Sequence, residues 1–466
     1  MVTRRDFIRT SALLSGGSML AGSVLAQSAH KAVSGKPITI SLANTDFERE
    51  PLIRPFGFKG GYMHESWQTA VMLTSASGLR KVGIGTQSVL WSDAQVFASH
   101  SESGGNALMY AMTEYGAGLL KGRTFTDPVE LLDDIWPRVY DYGKKISGRD
   151  DLRQTFALNA LVAVDNAVWL LYAAENSIGT FDEMIPPAYK PALANHHDKV
   201  ASIPLMAYTI PVSEIREAVD QGYFFMKIKI GQPGTQAEML EKDMARLSEI
   251  HKAIGDARTP YTKTGKLPYY FDANGRYESK ESLLRLLDHA RKIGAFDQIA
   301  IIEEPFDEKA DIDIRDIPVR IASDESAHTE KDALERIQMG YRAIALKAIA
   351  KTLSMTLKIA GVAHDHDIPC FCADLTVNPI LVEWNKNVAA RLAPFPGIGL
   401  GLLETNGHQN YRNWEEMRGY FPYKNEPWAT TKQGVFELSE DYFAKSGGIF
   451  VSSPHYEEMF PVQPHP

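Results

Sequence analysis

The segment Met226-Lys227-Ile228-Lys229-Ile230 is an apolar run of strand length that carries two lysines two residues apart. Four later segments share its character, because each places an acid or a lysine at the C-terminal end of an apolar run: Phe271-Asp272-Ala273-Asn274, Ile302-Glu303-Glu304-Pro305, Ser323-Asp324-Glu325-Ser326 and Ala345-Leu346-Lys347. In a parallel α/β barrel such strand ends converge on one mouth. The five segments therefore predict an α/β barrel with lysines and acids gathered at its mouth.

The barrel prediction extends over residues 200–404, where strand and helix patterns alternate. Eight apolar, β-branched runs have the length of strands buried on both faces: Ile203–Ile210, Met226–Ile230, Tyr269–Ala273, Ile299–Glu303, Val319–Asp324, Ala343–Lys347, Ile368–Ala373 and Ile398–Leu403. Helical patterns separate them, and the fourth crossover, Asp307–Ile317, is short and only weakly helical. This alternation favours parallel crossovers and a (β/α)7β barrel.

Residues 37–180 have a different pattern, which predicts an α+β capping domain. Three strands are expected, then three helices, with a loop at Gly60–His64: Ile38–Leu42, Trp67–Thr74, Lys81–Val89, Ala107–Leu120, Pro128–Tyr142 and Leu152–Asn176. The tail, residues 405–466, is rich in aromatic residues without a clean period. We expect it to pack on the cap.

Bulk properties exclude some classes of function. The chain has 466 residues, 44% of them hydrophobic, with a formal net charge of −9. A mildly acidic chain gives no support for binding nucleic acid. Only two cysteines are present, Cys370 and Cys372, which predicts buried thiols and no disulfide framework. The sequence is compatible with a homo-oligomer but does not set the number of copies.

The N-terminus predicts export. Thr3-Arg4-Arg5-Asp6-Phe7-Ile8 is a twin-arginine pattern, and an apolar stretch of small residues follows up to Ala26. That stretch is shorter than the roughly 20 residues of a spanning helix, so we expect no stable membrane anchor. We therefore predict that residues 1–26 are a twin-arginine signal peptide and that the mature protein is periplasmic.

Three acids predict a metal site. Asp272, Glu303 and Asp324 end three successive predicted strands and are spaced 31 and 21 residues apart, about one βα unit each. Singly, each could cap a helix or contact a loop. Together they converge on one point, where a hard divalent cation such as Mg²⁺ would compensate their charge.

The lysines predict proton transfer. Lys227 and Lys229 lie two apart on a strand, so both point into the mouth. Two adjacent ammonium groups and a nearby cation disfavour the charged form, which lowers a lysine pKa toward neutrality and suits it to act as a base. Lys347 ends a later strand, across the mouth from Lys229. A salt bridge to one of the acids is the alternative role for Lys347.

The ordered motifs Lys-x-Lys, Asp-x-Asn, Glu-Glu-Pro, Asp-Glu-Ser and Lys resemble those of the enolase superfamily, and more closely its muconate-lactonizing-enzyme-like, mandelate racemase family with the dipeptide epimerases. Ala163–Trp169 also resembles the helix that leads into the barrel in that family. The resemblance covers roughly residues 37–410. It implies a (β/α)7β barrel with an α+β cap.

The resemblance also implies a reaction. Asp272, Glu303 and Asp324 would hold Mg²⁺, which would bind a substrate carboxylate and stabilise an enediolate. Lys229 and Lys347 would be acid/base groups on opposite faces of the substrate, and Lys227 would support the developing charge. Substrate contacts are expected from residues at other strand ends: Asp374, Glu404 and Asn274.

Departures from the family pattern leave the substrate open. Ala345 stands where the sixth strand usually has Asn, the two glycines expected after that strand are absent, and Leu403-Glu404-Thr405-Asn406 replaces the Asp-x-Asp of dipeptide epimerases. The implied activity is a racemase or epimerase acting on a small-molecule carboxylate, for example a dipeptide or an amino-acid derivative. A sugar-acid dehydratase and a non-catalytic exported binding protein are the alternatives.

Overall fold

A long β-hairpin dominates the first part of the chain in the computed structural model, which describes residues 35–461. The predicted signal peptide lies outside the described residues. Strands β1 (Ile38–Phe58) and β2 (Gly61–Ser75) pair in antiparallel fashion around a turn at Lys59-Gly60. The expected loop at Gly60–His64 is therefore wrong, because β2 begins at Gly61. Strand β3 (Arg80–Gln87) pairs with β2, and β4 (Thr124–Phe125) pairs with the start of β1.

Cap helices pack on this sheet. They span Val89–Ser92, Ala94–Ser99, Glu102–Leu120, Pro128–Ser147, Gln154–Ala160, Val162–Glu175 and Phe181–Met184. The single helix predicted at Leu152–Asn176 is instead two helices, which meet at an angle of 47°. Strand β3 lies very close to the second of them, because Gly83 has no side chain and a Cβ there would be 2.1 Å from the Ala167 nitrogen.

The barrel closes through a broken strand. Strands β5 (Lys199–Ile203) and β6 (Leu205–Met206) are separated only by Pro204, and they lie on opposite sides of the run of parallel strands: β7 (Met226–Lys229), β8 (Tyr269–Asp272), β9 (Ile299–Glu303), β10 (Ile321–Ser323), β11 (Ala343–Leu346), β12 (Cys370–Cys372) and β13 (Gly401–Glu404). Because β5 pairs with β13 while β6 pairs with β7, the sheet returns on itself. Cys370 and Cys372 are free and buried.

Six helices join the barrel strands: Val212–Asp220, Gln236–Ile254, Lys280–Ile293, Glu330–Met339, Leu353–Asp365 and Pro379–Ala389. Capping boxes begin two of them, at Thr235 with Glu238 and at Thr329 with Asp332, which satisfies otherwise unpaired backbone N–H groups. The fourth crossover contains no helix, so the weakly helical pattern at Asp307–Ile317 gives turns only. The α/β barrel class with an α+β cap is otherwise as predicted.

The tail contacts both the cap and the barrel. Its strand β14 (Val435–Glu437) pairs with β5, and short helices flank it at Gly407–Asn410, Trp414–Gly419, Glu440–Lys445 and Pro454–Glu458. The buried Lys386 of the barrel donates to the Trp428 carbonyl at 2.7 Å. On the cap side, Gln68 donates to the Tyr411 hydroxyl at 2.8 Å.

Within residues 35–461, no single helix is long and apolar enough to cross a membrane, although the bent pair Gln154–Ala160 and Val162–Glu175 passes by length and composition together.

Candidate active site

The strand ends and the cap enclose a small cavity of about 30 Å³ at the barrel mouth. Its barrel side is lined by charged and amide side chains, namely Lys227, Lys229, Asp272, Asn274, Asp324, Lys347, Asp374, Glu404 and Asn406. Its cap side includes Phe56, Phe58 and Trp91. All the titratable residues of the barrel side are buried. The structure therefore brings the sequence-predicted lysines and acids to one place.

Lys227 lies among three carboxylates. Its Nζ is 3.0 Å from Asp272 Oδ2, 2.8 Å from Glu303 Oε1 and 3.2 Å from Glu404 Oε2. Burial alone would lower the pKa of Lys227, but the three carboxylates outweigh it and hold the pKa well above its ordinary value. The predicted lowering of this pKa is therefore wrong for Lys227. Its charge is set by acids from other strands and not by the neighbouring lysine.

Lys229 and Lys347 enter the cavity from opposite sides of the barrel. Lys229 is the last residue of the second strand of the eight-stranded ring and Lys347 follows the sixth, so half the barrel separates them. Lys229 Nζ is 2.5 Å from Asp272 Oδ2 and donates to Asn274 Oδ1 at 2.7 Å. Lys347 Nζ is 2.5 Å from Asp324 Oδ2, and this carboxylate outweighs the effect of burial and raises the pKa of Lys347. Each lysine is thus oriented by its own acid.

A group of carboxylates has the geometry of a cation site. Glu303, Asp324 and Glu325 each offer one oxygen, and these oxygens lie within 4.8 Å of one another. Asp324 Oδ1 and Glu325 Oε2 are buried and have no hydrogen-bond partner. Hard carboxylate oxygens suit Mg²⁺, so the residues present fit a divalent cation.

Asp272 is the predicted ligand that lies outside this group, because it pairs with two lysines. Burial alone would raise the pKa of Asp272, but the ammonium groups of Lys227 and Lys229 lower it to about 2. A low pKa suits a metal ligand, which binds as the ionised carboxylate.

The side chain of Glu304 positions the two acids that follow β10. This residue has a φ of 39°, and its Oε1 accepts hydrogen bonds from the backbone N–H of Asp324 at 2.6 Å and of Ser326 at 2.8 Å. The Ser326 hydroxyl donates to the same oxygen at 2.6 Å. A non-glycine residue with positive φ is costly, and such strain is typical of functional sites. The three hydrogen bonds to Glu304 Oε1 fix the loop that carries Asp324 and Glu325.

The predicted substrate contacts border the same cavity, but the fold already uses much of their capacity. Asp374 accepts from the Asn406 backbone N–H at 2.7 Å and from that of Leu375 at 2.8 Å. Glu404 accepts from the Asp374 backbone N–H at 3.0 Å and from Asn406 Nδ2 at 3.1 Å. These two acids therefore brace the loops after β12 and β13.

Two residues at the site, Lys59 and Trp91, were not predicted from the sequence. Lys59 at the hairpin turn pairs with Glu325 at 2.9 Å, and Trp91 Nε1 donates to Asp324 Oδ2 at 3.3 Å. The Trp91 ring also lies 4.3 Å from Lys347 Nζ. Both residues come from the cap, and no strand-end pattern marks them.

Lys351 is a further buried cation beside the acids. Its Nζ donates to the Asp324 carbonyl at 2.6 Å and lies 3.4 Å from Asp324 Oδ1. Burial lowers the pKa of Lys351. The residue lies just after the sixth strand, where two glycines were expected from the resemblance. Its position four residues after Lys347 was the sequence feature that could have indicated its place beside the site.

Comparisons with known proteins agree with this architecture. Residues 212–400 match the family model described as "Enolase C-terminal domain-like". That stretch contains every site residue named above from the barrel except Glu404 and Asn406. The comparison with curated proteins gives no match.

Solved structures extend the likeness to cap and barrel together. A dipeptide epimerase from Enterococcus faecalis V583, complexed with Mg and L-Leu-L-Tyr, is 17% identical with a TM-score of 0.60, over 86% of this chain and 98% of that chain. The L-Ala-D/L-Glu epimerase from Bacillus subtilis is 17% identical with a TM-score of 0.61, over 86% and 96%. L-Talarate dehydratase from Polaromonas sp. JS666, complexed with Mg and L-glucarate, is 18% identical with a TM-score of 0.58, over 86% and 93%. At these identities the likeness establishes the fold.

Proposed function

We propose that this chain is an enzyme of the enolase superfamily that removes the α-proton of a small-molecule carboxylate and returns a proton on the opposite face, as a racemase or epimerase does. The observation that carries the proposal is the placement of Lys229 and Lys347 at one buried cavity, on opposite sides of the barrel. A substrate between them would present one face of its α-carbon to each amine.

The metal site of the proposal consists of Asp272, Glu303 and Asp324, with Glu325 close enough to contribute a fourth oxygen. A divalent cation would supply electrostatic stabilisation of the negative charge that develops on the substrate carboxylate. Neither Asp324 Oδ1 nor Glu325 Oε2 accepts a hydrogen bond, and Asp324 Oδ1 has only Lys351 Nζ at 3.4 Å, which supports this assignment because buried carboxylate oxygens without hydrogen bonds are costly. Two of the similar structures are Mg complexes.

Lys227 has a different role from the other two lysines. Three carboxylates surround its Nζ, whereas Lys347 contacts one, so Lys227 is the lysine least suited to accept a proton from the substrate. Its positive charge at the mouth would favour an anionic substrate and the charge that develops on it. Asn274, Asp374 and Glu404 border the cavity and are proposed to contact the substrate.

Solvent exchange tests the reaction. A library of dipeptides, N-acyl amino acids and sugar acids would be incubated with the protein and Mg²⁺ in D₂O and followed by NMR and mass spectrometry. Deuterium at the α-carbon together with inversion is the expected result. Loss of water from a sugar acid would assign the dehydratase reaction, to which the likeness to L-talarate dehydratase points. Tight binding without exchange would identify a binding protein and overturn the enzymatic proposal.

The proposed location is the periplasm, reached by the twin-arginine route. The basis is the Arg4-Arg5 pattern and the small-residue site ending at Ala26. N-terminal sequencing of exported protein should find a start at Gln27. Export that is unchanged after substitution of both arginines by lysine would contradict this route.

A further inference from the structure

The turn of the cap hairpin places a lysine inside the barrel mouth. We call residues 53–63 the tongue; they comprise the end of β1, the turn and the start of β2. Lys59 at its tip has a φ of 48°, and its side chain is only 7% exposed. Its Nζ lies 2.9 Å from Glu325 Oε1 and donates to the Trp91 carbonyl at 2.8 Å. A lysine with so little solvent is held by these partners.

Glu325 connects this lysine to one of the two proposed bases. Its Oε1 also accepts from Asn274 Nδ2 at 3.0 Å, and Asn274 Oδ1 accepts from Lys229 Nζ at 2.7 Å. Lys59, Glu325, Asn274 and Lys229 thus form a chain of buried or partly buried side chains from the tongue to the β7 lysine. Lys347 contacts a different acid, Asp324, and is linked to Lys59 only less directly, through the Trp91 ring and the charge of Glu325.

The tongue forms part of the lining of this cavity. Its residues Phe56 and Phe58 face the same space as Lys229 and Lys347. Because Lys59 is on the same tongue, its contact with Glu325 depends on how the tongue lies over the mouth.

We propose that Lys59 is a positioning residue that orients Lys229 through Glu325 and Asn274, so that the geometry of Lys229 depends more strongly on the tongue than that of Lys347. The proposal deepens the proposed function and rests on it for the role of Lys229. Without Lys59, Glu325 loses its directly paired cation and is held less firmly, so Asn274 and through it Lys229 are less precisely oriented. Misplacement of a base by a fraction of an ångström to 1 Å lowers rates strongly.

Competitive labelling of lysines tests the link from Lys59 to Lys229 without substrate or metal. Trace acetic anhydride and mass spectrometry would give the labelling ratio of Lys229 to Lys347 in wild type, Lys59→Met and Lys59→Arg. We expect a several-fold higher ratio in Lys59→Met and a near-wild-type ratio in Lys59→Arg. The matched control is Arg49→Met, which removes an exposed ion pair with Glu65 from the same hairpin. An unchanged ratio, or a parallel rise at both lysines, would overturn the proposal.

Two further measurements complete the test. Glu325→Gln keeps the shape of the side chain that Lys59 contacts and weakens the pairing between them. This variant should raise the labelling ratio of Lys229 to Lys347, and it keeps the test available if Lys59→Met does not fold. In the exchange assay, Lys59→Met should slow α-deuteration from the Lys229 face about tenfold and leave the Lys347 face within about twofold. Equal slowing of α-deuteration from both faces would contradict a specific link from Lys59 to Lys229. A wild-type protein that exchanges no substrate would refute the proposed function, while the labelling ratio still decides the role of Lys59.

Discussion

The two walls of the cavity differ in how their residues are specified. The barrel wall consists of residues at or near the C-terminal ends of strands, so each is placed by a local rule: side chains at that end of an apolar strand face the mouth. The cap wall includes Phe56, Phe58 and Trp91, which reach the cavity only because the hairpin and the short helix Val89–Ser92 dock on the barrel. The comparison teaches that chemistry on the barrel wall is set by the sequence order of the strands. The contribution of the cap is set by tertiary packing.

The largest expected effect is on the barrel wall. Asp324→Asn removes the carboxylate that contacts Lys347 and belongs to the acid group with Glu303. We expect the affinity for Mg²⁺, measured by titration calorimetry, to fall by about 100-fold or more, because even supporting groups of metal sites cost 10–100-fold. Circular dichroism would verify the fold.

The control for this substitution is Asp313→Asn on the fourth crossover, where the carboxylate pairs with Arg315 at the surface. It should leave the Mg²⁺ affinity unchanged. Wild-type affinity in Asp324→Asn would mean that the strand-end acids do not bind the metal, and the barrel half of the comparison would fail.

The next effect concerns the junction between cap and barrel. Asp165, on the cap helix Val162–Glu175, accepts hydrogen bonds from the Ser354 N–H at 3.0 Å and the Ser354 hydroxyl at 2.6 Å. Burial raises the pKa of Asp165 to about 7 from an ordinary 3.8. The folded state therefore holds this proton more tightly than the unfolded state, and the resulting stabilisation is lost as the pH rises through 7.

Asp165→Asn should abolish this pH dependence. From pH 5 to pH 8 the wild-type free energy of unfolding should fall by about 3 kcal/mol more than that of the variant, since each pKa unit is worth about 1.4 kcal/mol. Urea denaturation at the two pH values gives the difference. Asp141→Asn, at an exposed position of a neighbouring cap helix, should behave as wild type. Parallel pH profiles for wild type and Asp165→Asn would contradict the role of this carboxyl.

The smallest expected effect is on the cap wall. Trp91→Phe removes the N–H that donates to Asp324 and keeps an aromatic ring near Lys347. We expect the rate of α-deuteration from the Lys347 face to fall roughly fivefold, in line with about 1 kcal/mol for one hydrogen bond. Trp136→Phe on a cap helix is the matched control. Equal slowing at both faces would show that Trp91 supports only the general closure of the cap.

The barrel was predictable because its signals are local. The strands around Lys229, Asp272 and Glu303 are apolar runs of correct length, and their order gives the convergence of their ends. The fourth crossover lacks a helix, since Asp307–Ile317 has no regular apolar period. The broken strand at Pro204 was not expected either, although proline removes a backbone donor.

The hairpin and the charge state of Lys227 were not predictable in the same way. Residues of β1 between Phe47 and Phe58 are mostly partly or fully exposed, so they show no clean alternation of apolar and polar residues. The pKa of Lys227 depends on three carboxylates from three other strands, whereas the sequence displays only its neighbour Lys229. Long-range contacts set both properties.

The central claim is that Lys229 and Lys347 act on opposite faces of one substrate, and stereospecific exchange tests it most directly. With a substrate found by the D₂O screen, both stereoisomers would be incubated with wild type, Lys229→Ala and Lys347→Ala, and α-deuterium followed by NMR. We predict that each variant loses exchange from one stereoisomer, that the two variants lose opposite ones, and that neither interconverts the isomers. Full exchange from both stereoisomers in both variants would contradict the two-base mechanism.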